Sequence, residues 1–259
     1  MYGYSFNFNH GVLSSGGGGG PVNPLWDDLQ AYYTADNTPN DATGNGYNGT
    51  LTNGATYGTG IINQGFSFDG VNDYITTNKT LNLNGGTPFS VNFWLKSNAY
   101  LTANSLQNVF GTVRDDSNIY NQTKGFQFYM YGNGGSANRL SFLISNNNSG
   151  VSSFAWVHIL ANVVPNTWYN VTMTYNGNGN TSGINTYINN SASKTVYLNN
   201  LQSPYDTVTE SPTIGANIKT SLIVDRFLNG IIDEVGIWDR ELTPSEVTEL
   251  YNSGAGKQY

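Results

Sequence analysis

Carboxylate pairs are the first residues in this chain that could do chemistry, because glycoside hydrolysis uses two of them across one bond. Retaining enzymes need the two groups about 5–5.5 Å apart, and inverting enzymes need them farther apart. Residues two apart on a strand share a face, so the adjacent Asp233 and Glu234 are predicted to point to opposite faces. Asp239 and Glu241 stand where a strand gives way to a helical pattern. The carboxylates therefore predict no glycan-cleaving pair.

Histidine chemistry finds little support. The chain has two histidines, His10 and His158, which lie far apart in sequence, and it has no cysteine. A zinc site or a nucleophile with a histidine base needs more ligands or partners than these. His158 lies in the apolar stretch 154–160, which is predicted to be a strand, so a structural or solvent-facing role is favoured.

Asp233 poses a separate question. In a regular strand it has the parity of Val235 and Ile237 and points inward. A buried carboxylate is costly without partners. Two solutions are open: backbone hydrogen bonds near a bulge, or a calcium ion that gathers 6–8 oxygen ligands.

Aromatic side chains beside amides form the candidate binding site. An exposed ring can stack on a sugar face, and an amide can hydrogen-bond to the hydroxyls. Gln127, Tyr129 and Tyr131 share one non-core face of a predicted strand, and Trp94 is expected on an outer face. These four are the predicted ligand-binding residues. The alternative is that the rings pair across strands for stability.

Strands must position these side chains, because apolar residues alternate at period two in many places. Turns rich in asparagine and glycine separate the runs, which predicts antiparallel strands in two packed sheets. The inward rows are Phe89, Val91, Phe93 and Leu95; Phe126, Phe128 and Met130; Leu140, Phe142 and Ile144; and Tyr169, Val171, Met173 and Tyr175. One short helix is predicted from Pro244, with Thr243 and Glu246 as a capping box and Gly254 as its stop.

The first 24 residues follow a different pattern. Aromatic residues alternate with small or polar ones, which predicts a short strand that can add to a sheet edge. These anchoring residues are Tyr2, Tyr4, Phe6 and Phe8. Gly16 to Gly20 follow as a run typical of a flexible tether. We therefore divide the chain into an anchoring arm with its tether (1–24) and one domain (25–259). The arm is expected to contact another subunit or, alternatively, its own domain.

Composition narrows the function classes. The chain has 17 acidic against 10 basic residues and a net charge of −7, so it offers no electrostatic footprint for nucleic acid. The absence of cysteine excludes disulfides and thiolate metal sites. No segment approaches the roughly 20 consecutive apolar residues that a membrane-spanning helix needs. The residues after Met1 lack the basic start and the apolar run of an export signal. We expect neither a nucleic-acid partner nor membrane insertion. We expect the protein to leave the cell by a route other than export, such as lysis of a virus-infected host.

Several strings follow one another between about residues 25 and 253. They are Ala31-Tyr-Tyr-Thr-Ala-Asp36, Asn40-Asp-Ala-Thr-Gly-Asn-Gly46 with Asn48-Gly-Thr50, Phe66-Ser-Phe-Asp-Gly-Val-Asn-Asp-Tyr-Ile75, Phe89-Ser-Val-Asn-Phe-Trp-Leu95 and Thr167-Trp-Tyr-Asn-Val-Thr-Met-Thr-Tyr175. The strongest is Phe227-Leu-Asn-Gly-Ile-Ile-Asp-Glu-Val-Gly-Ile-Trp-Asp-Arg-Glu-Leu242, which runs into Ser245-Glu246 and Leu250-Tyr251-Asn252. In this order and spacing they resemble the laminin-G-like, concanavalin-A-like jelly-roll family.

The resemblance implies an all-β, two-sheet antiparallel sandwich (a jelly roll) with one short C-terminal helix. Members mostly bind carbohydrate or protein surfaces. Those that cleave glycans carry a strand with alternating Glu and Asp, and no Glu-x-Asp-x-x-Glu string occurs here. Members often hold one structural calcium ion (Ca2+) near the paired terminal strands, for which the resemblance nominates Asp36, Asp69 and Asp233. The alternative is a set of hydrogen-bonded turn carboxylates without a metal.

Three functions stay open. The first is a non-enzymatic, surface-displayed component of a bacteriophage virion, either a capsid decoration or a fibre, that attaches to glycans or other surfaces. Its arm would contact other virion subunits, and its location would be the virion surface or the extracellular space. The second is a secreted or cell-surface carbohydrate-binding module. The third, which the carboxylates disfavour, is a glycan hydrolase or lyase.

Overall fold

The computed structural model describes residues 24–80, 86–112, 124–132, 138–146, 154–199, 211–220 and 223–259. The strands within them are β1 (Leu29–Tyr33), β2 (Gly49–Thr52), β3 (Thr56–Thr59), β4 (Gln64–Asp69), β5 (Tyr74–Thr77), β6 (Phe89–Ser97), β7 (Leu106–Gly111), β8 (Lys124–Gly132) and β9 (Asn138–Asn146). They continue with β10 (Phe154–Val163), β11 (Trp168–Tyr175), β12 (Ile184–Ile188), β13 (Ser191–Ala192), β14 (Thr195–Asn199), β15 (Thr213–Ile214), β16 (Asn217–Thr220), β17 (Ile223–Asp225) and β18 (Asn229–Trp238). The α-helix of the described residues is α1 (Pro244–Tyr251), and short 3-10 turns lie at Pro24–Trp26, Thr181–Gly183 and Asn252–Gly254.

Two sheets of eight strands contain all of these strands except β16 and β17, which pair with each other. The first, which we call the helix-covered sheet, has the order β13-β12-β11-β6-β18-β4-β3, and β1 also pairs with β18. The second, which we call the groove sheet, has the order β14-β10-β9-β8-β7-β15-β5-β2. Every pairing between described strands is antiparallel. The predicted all-β, antiparallel two-sheet sandwich is therefore confirmed.

The core lies between the two sheets and consists of the rows that the sequence predicts. Phe93 of β6 is fully buried and pairs in register with Val171 of β11. Its ring meets Phe128 of the opposite sheet with centroids 5.1 Å apart and nearly perpendicular planes. Edge-to-face packing of this kind adds about 0.5–1.5 kcal/mol to the burial itself. Tyr169, predicted as a core residue, is only partly buried and packs against the margin of the core.

Helix α1 begins as the sequence predicts. The side chain of Thr243 accepts a hydrogen bond from the backbone of Glu246, and the Glu246 carboxylate accepts one from the backbone of Thr243. Arg240 also donates two hydrogen bonds to that carboxylate. The helix ends at Tyr251 because Asn252 adopts the left-handed conformation (φ 47°), so it stops before the predicted Gly254.

The outer face of the helix-covered sheet is sealed by α1. Val247 and Leu250 are buried and share a small apolar cluster with Trp238 of β18. Because β18 lies beside β6 in the centre of this sheet, the helix covers the part of the outer face that the alternation alone would leave open to solvent. No helix of the described residues covers the outer face of the groove sheet in the same way.

A β-bulge in β18 changes the direction of its acidic side chains. Glu234 has a positive φ of 50°, and the pairing register with β6 shifts between Asp233 and Gly236. Ile232 and Val235 both face the core, so Asp233 faces away from it. The prediction that Asp233 points inward is therefore wrong, since the extra residue of the bulge breaks the alternation.

The anchoring residues Tyr2, Tyr4, Phe6 and Phe8 and the run Gly16 to Gly20 lie outside the described residues, so the anchoring role stays a prediction. Within the described ranges, the structure contains no helix with the length and apolar character needed to cross a membrane.

Candidate functional site

A groove lies on the outer face of the groove sheet and has a cavity volume of about 350 Å³. It forms because the core takes one parity of β8, β9 and β10, and the other parity faces outward. This volume falls within the range of small-molecule sites in proteins. The groove is lined by Leu106, Gln127, Tyr129, Tyr131, Arg139, Ser141, Leu143, Trp156, His158, Tyr197 and Arg226.

Aromatic rings form one wall of the groove. Trp156 of β10 and Tyr197 of the edge strand β14 have centroids 4.3 Å apart, and Tyr197 is 59% exposed. Tyr129 lies on the other side of Trp156, with centroids 6.3 Å apart. The hydroxyl of Tyr131 donates a 2.6 Å hydrogen bond to Asn104, which fixes its ring. The wall therefore offers apolar ring surface held in place by neighbours.

Polar side chains of β9 and β10 line the floor. Ser141 Oγ lies 2.9 Å from His158 Nδ1, and Arg139 Nη1 lies 3.5 Å from His158 Nε2. Because a guanidinium group can only donate, Nε2 is the acceptor, and Nδ1 carries the proton that is donated to Ser141. Burial, and secondarily the charge of Arg139, lower the pKa of His158 below 6.5. His158 is therefore neutral at neutral pH.

Gln127 sits deep in the groove with an unsatisfied acceptor. The side chain is 3% exposed, and among the described residues no donor lies within hydrogen-bonding distance of its Oε1. A buried polar atom without a partner costs about 1–3 kcal/mol. A ligand hydroxyl or amide that donates to this oxygen would remove that cost.

Arg226 reaches the groove from the segment between β17 and β18. Its backbone has a positive φ of 58°, and its carbonyl accepts a 2.7 Å hydrogen bond from the backbone of Asn108 in β7. An arginine in this conformation costs about 1–2 kcal/mol, so the surrounding contacts must hold it there. The result is a second guanidinium, after that of Arg139, in the described lining of the groove.

The described residues that line the groove include no aspartate or glutamate. Glycoside hydrolysis with two carboxylates would therefore have neither its acid nor its nucleophile or base among them. The polar groups of the groove can donate and accept hydrogen bonds and attract negative charge. This chemistry fits binding.

The structure brings together Gln127, Tyr129 and Tyr131, as predicted from their shared parity. Trp94 does not join them, and its predicted exposure is wrong. It lies on the outer face of the helix-covered sheet, but it is 2% exposed and stacks on Tyr251 of α1 with centroids 5.9 Å apart. Trp94 therefore stabilises the helix contact.

Sequence reasoning missed four important groove residues, and it gave His158 a structural or solvent-facing role. The pattern that could have found two of them is the alternation in β9 and β10, where Arg139 and Trp156 have the opposite parity to the core residues. No local pattern points to the other two, because they reach the groove from distant segments. The missed residues are Arg139, Trp156, Tyr197 and Arg226.

The three carboxylates nominated for calcium do not all converge, because Asp36 lies near Asp233 but Asp69 does not. Asp233 lies beside Gly65 of β4, whereas Asp69 ends that strand, about 13 Å farther along. The Asp69 carboxylate instead accepts a 2.8 Å bond from the backbone of Val71, as in an ordinary turn. Asp36 accepts a 3.0 Å bond from the backbone of Gln64.

Asp233 is satisfied by backbone donors. Its carboxylate accepts hydrogen bonds from Ile61 (2.8 Å), Ile62 (3.2 Å) and Glu234 (2.9 Å). No group of three or more His, Cys, Asp or Glu side chains within the described ranges has the arrangement of a metal site. The nominated set therefore does not fit a calcium ion, and the backbone hydrogen bonds near the bulge are the solution that the structure contains.

Comparison with known sequences gives a match over residues 69–248 to the family described as the concanavalin A-like lectin/glucanases superfamily. A search of curated proteins found no match. Among solved structures, domain 4 of AbnA, a GH43 extracellular arabinanase from Geobacillus stearothermophilus, in complex with arabinotriose, superposes with a TM-score of 0.54 at 20% identity. The match covers 86% of this chain and 97% of that domain.

Two binding domains of larger proteins also share the fold. The binding domain of botulinum neurotoxin DC in complex with SialylT has a TM-score of 0.62 at 17% identity, over 88% of this chain and 52% of that one. The binding domain of Paraclostridial Mosquitocidal Protein 1 has a TM-score of 0.62 at 17% identity, over 89% and 53%. The chain thus spans about half the length of these two domains, and at such identities the likeness shows the fold alone.

Proposed function

Because the chain belongs to the concanavalin A-like lectin/glucanase superfamily, we propose that it is a non-enzymatic carbohydrate-binding domain whose groove binds a glycan. The observation that carries this proposal is the groove itself, in which an aromatic wall faces amide and guanidinium groups. The similar structures include two binding domains and a domain in complex with arabinotriose, and this supports the same class of function.

The groove has the parts that sugar recognition needs. A pyranose ring presents an apolar face of C–H groups, which can pack on the rings of Trp156 and Tyr197. Its hydroxyls both donate and accept, so one can donate to Gln127 Oε1 while others accept from Arg139. The groove is open at the edge strand β14, where Tyr197 is exposed, so a chain of several sugars can extend past it.

The test is a glycan array followed by titration calorimetry of the best-bound oligosaccharide. We expect Trp156→Ala to weaken binding at least tenfold, or about 1.4 kcal/mol. We expect Gln127→Ala to weaken it as well, because the ligand then loses a hydrogen bond that in the wild type satisfies a buried oxygen. Tyr100→Ala is the matched control, since Tyr100 is 42% exposed but does not line the groove.

The outcomes separate the alternatives. Wild-type protein that binds no glycan, or a Tyr100→Ala variant that loses as much affinity as Trp156→Ala, would contradict the proposal. Release of shortened oligosaccharides during prolonged incubation would instead support the hydrolase or lyase alternative. Far-ultraviolet circular dichroism of each variant checks that the sandwich is intact.

We further propose that the domain is displayed outside cells on a larger assembly through residues 1–24, with a bacteriophage virion as the first case. The support is the sequence pattern of alternating aromatic residues followed by Gly16 to Gly20. A secreted or cell-surface carbohydrate-binding module is the alternative. Deletion of residues 1–20 distinguishes them: a displayed subunit then folds but fails to join its assembly, whereas a free module keeps its whole function.

A further inference from the structure

The described residues that line the groove carry a charge opposite in sign to that of the chain as a whole. The protein carries a net charge of −7. Two of its four arginines, Arg139 and Arg226, line the groove, and the described lining includes no carboxylate. A neutral sugar needs hydrogen-bonding groups but no such concentration of positive charge, so this distribution calls for its own explanation.

Arg139 is the more informative of the two. It is half-buried, and none of the described carboxylates forms an ion pair with it. Its guanidinium approaches His158 Nε2 at 3.5 Å, a long contact with a neutral ring. Removing a guanidinium partly from water is costly unless an anion or several acceptors replace that water. Arg139 therefore has capacity for a negatively charged group of a ligand.

Arg226 is the second arginine of the described groove lining. Its guanidinium lies 4.0 Å from the carboxylate of Asp225, whose side chain is 29% exposed and outside the groove lining. The positive φ of Arg226 fixes the place from which its side chain reaches the groove.

We propose that the ligand of the groove is an anionic sugar, which places a carboxylate or a sulfate ester against Arg139. This inference rests on the proposed carbohydrate-binding function and names its ligand class. The planar guanidinium group binds such anions through paired N–H donors. The uncharged Gln127 and Ser141 then hydrogen-bond to hydroxyls of the same sugar, and the aromatic wall packs on its ring face.

The test compares polymers that differ only in charge. Polygalacturonate is paired with its carboxyl-reduced form, and dextran sulfate is paired with dextran, each measured by affinity electrophoresis and calorimetry. We expect at least tenfold tighter binding to one charged member than to its neutral partner. We also expect that binding to weaken as NaCl rises from about 20 to about 300 mM, because salt screens the attraction.

Variants assign the effect to the groove. Arg139→Gln should abolish the preference for the charged polymer while it leaves the fold intact. Lys79→Gln removes the same charge from an exposed side chain that follows β5, near the opposite edge of the groove sheet from β14. This control variant should leave the preference unchanged. Arg139→Lys should restore the preference in part, because it keeps the charge but not the paired donors.

Each result decides the question. Equal affinity for charged and neutral partners, with binding still lost in Trp156→Ala, would overturn the anionic-sugar inference and leave the carbohydrate-binding function standing. An equal loss of preference in Lys79→Gln and Arg139→Gln would overturn it as well, since the effect would then come from overall charge. Preference for polygalacturonate alone identifies a carboxylate ligand, and preference for dextran sulfate alone identifies a sulfate ligand. Absence of binding to every polymer and to the glycan array would overturn both proposals.

Discussion

Ser141 Oγ lies 2.9 Å from Nδ1 of His158, so the floor of the groove holds a neutral imidazole between a serine and an arginine. The guanidinium of Arg139 approaches the other ring nitrogen, Nε2, so a proton on Nε2 would face a positive charge. Burial first, and the charge of Arg139 second, lower the pKa of His158. The positive charge of the floor thus rests on Arg139 at neutral pH.

The first prediction concerns this histidine. A titration followed by long-range ¹H–¹⁵N NMR should give a pKa for His158 below 6.5, with its signal assigned through the His158→Gln variant. Arg139→Gln should move the pKa upward but not fully to 6.5, because burial, the larger cause, remains. The folded state binds this proton less tightly than the unfolded chain does. His158 therefore lowers the free energy of unfolding as pH falls below 6.5 and has no effect above it. A pKa at or above 6.5 in the wild type would contradict the geometry.

The second prediction uses tryptophan fluorescence. Trp156 is the one of the chain's five tryptophans that lines the groove. Ligand binding should therefore change the emission of the wild type, and Trp156→Phe should remove most of that change while it preserves weakened binding. Trp168→Phe is the matched control, since Trp168 lies on β11 of the other sheet. A ligand-induced signal that survives in Trp156→Phe but vanishes in Trp168→Phe would place the ligand elsewhere.

Period-two alternation could predict the core rows, because side chains packed between two sheets repeat every second residue. The same alternation placed Gln127, Tyr129 and Tyr131 on one face, and it contains the signal for Arg139 as well. It could not show that β14 pairs beside β10 and brings Tyr197 to Trp156, because strand order depends on contacts between distant segments.

Two failures of the sequence reading have specific physical causes. Trp94 has the outer parity that the sequence indicates, but α1 covers it, and helix docking is a long-range contact that local patterns do not report. The prediction for Asp233 is wrong because the bulge at Glu234 inserts one residue, so that Asp233 no longer shares the face of Val235 and Ile237. Alternation predicts faces reliably only within an uninterrupted strand.

The third prediction separates Trp94 from the groove. Trp94→Phe should lower the free energy of unfolding by about 1–2 kcal/mol, because a smaller ring leaves a gap against Tyr251. Glycan affinity should stay within about twofold of the wild type, since Trp94 lies on the opposite sheet from the groove. Urea unfolding and calorimetry on the same preparation measure both quantities. A large loss of affinity with unchanged stability would restore Trp94 as a ligand-binding residue.

The fourth prediction concerns metal removal. Asp233 accepts backbone hydrogen bonds and Asp69 caps a separate turn, so these carboxylates do not depend on a cation. We expect the melting temperature and the glycan affinity to be equal in about 1 mM CaCl₂ and in about 1 mM EDTA. An EDTA-induced drop of several degrees that CaCl₂ reverses, and that Asp36→Asn removes, would show that calcium stabilises the domain after all.

Glu234, the second acidic residue of β18, shares a buried proton with the hydroxyl of Tyr32. The hydroxyl of Tyr32 has one hydrogen but two acceptors within reach, the Glu234 carboxylate and the carbonyl of Lys257 at 2.9 Å. A protonated Glu234 resolves this, since it donates to Tyr32 while Tyr32 donates to Lys257. Burial, together with the charges of Asp233 and Asp36, raises the pKa of Glu234 to about 8. Burial likewise raises the pKa of Asp233 to about 7, although its three backbone donors favour the ionised form.

The fifth prediction follows from that proton. The pKa of Glu234 is about 8 in the folded state against an ordinary value of 4.5, so its contribution to stability is complete below pH 4.5 and is lost as pH rises to 8. Glu234 alone should lower the free energy of unfolding by about 2 kcal/mol between pH 6 and pH 8, and Asp233 adds to this fall. Glu234→Gln, which keeps the shape and cannot ionise, should lose clearly less over this interval, with a remaining slope from Asp233. Asp27→Asn changes an exposed carboxylate and should retain the wild-type slope. Denaturant unfolding at both pH values measures each slope, and equal losses in the wild type and Glu234→Gln would mean that Glu234 is already ionised at pH 6.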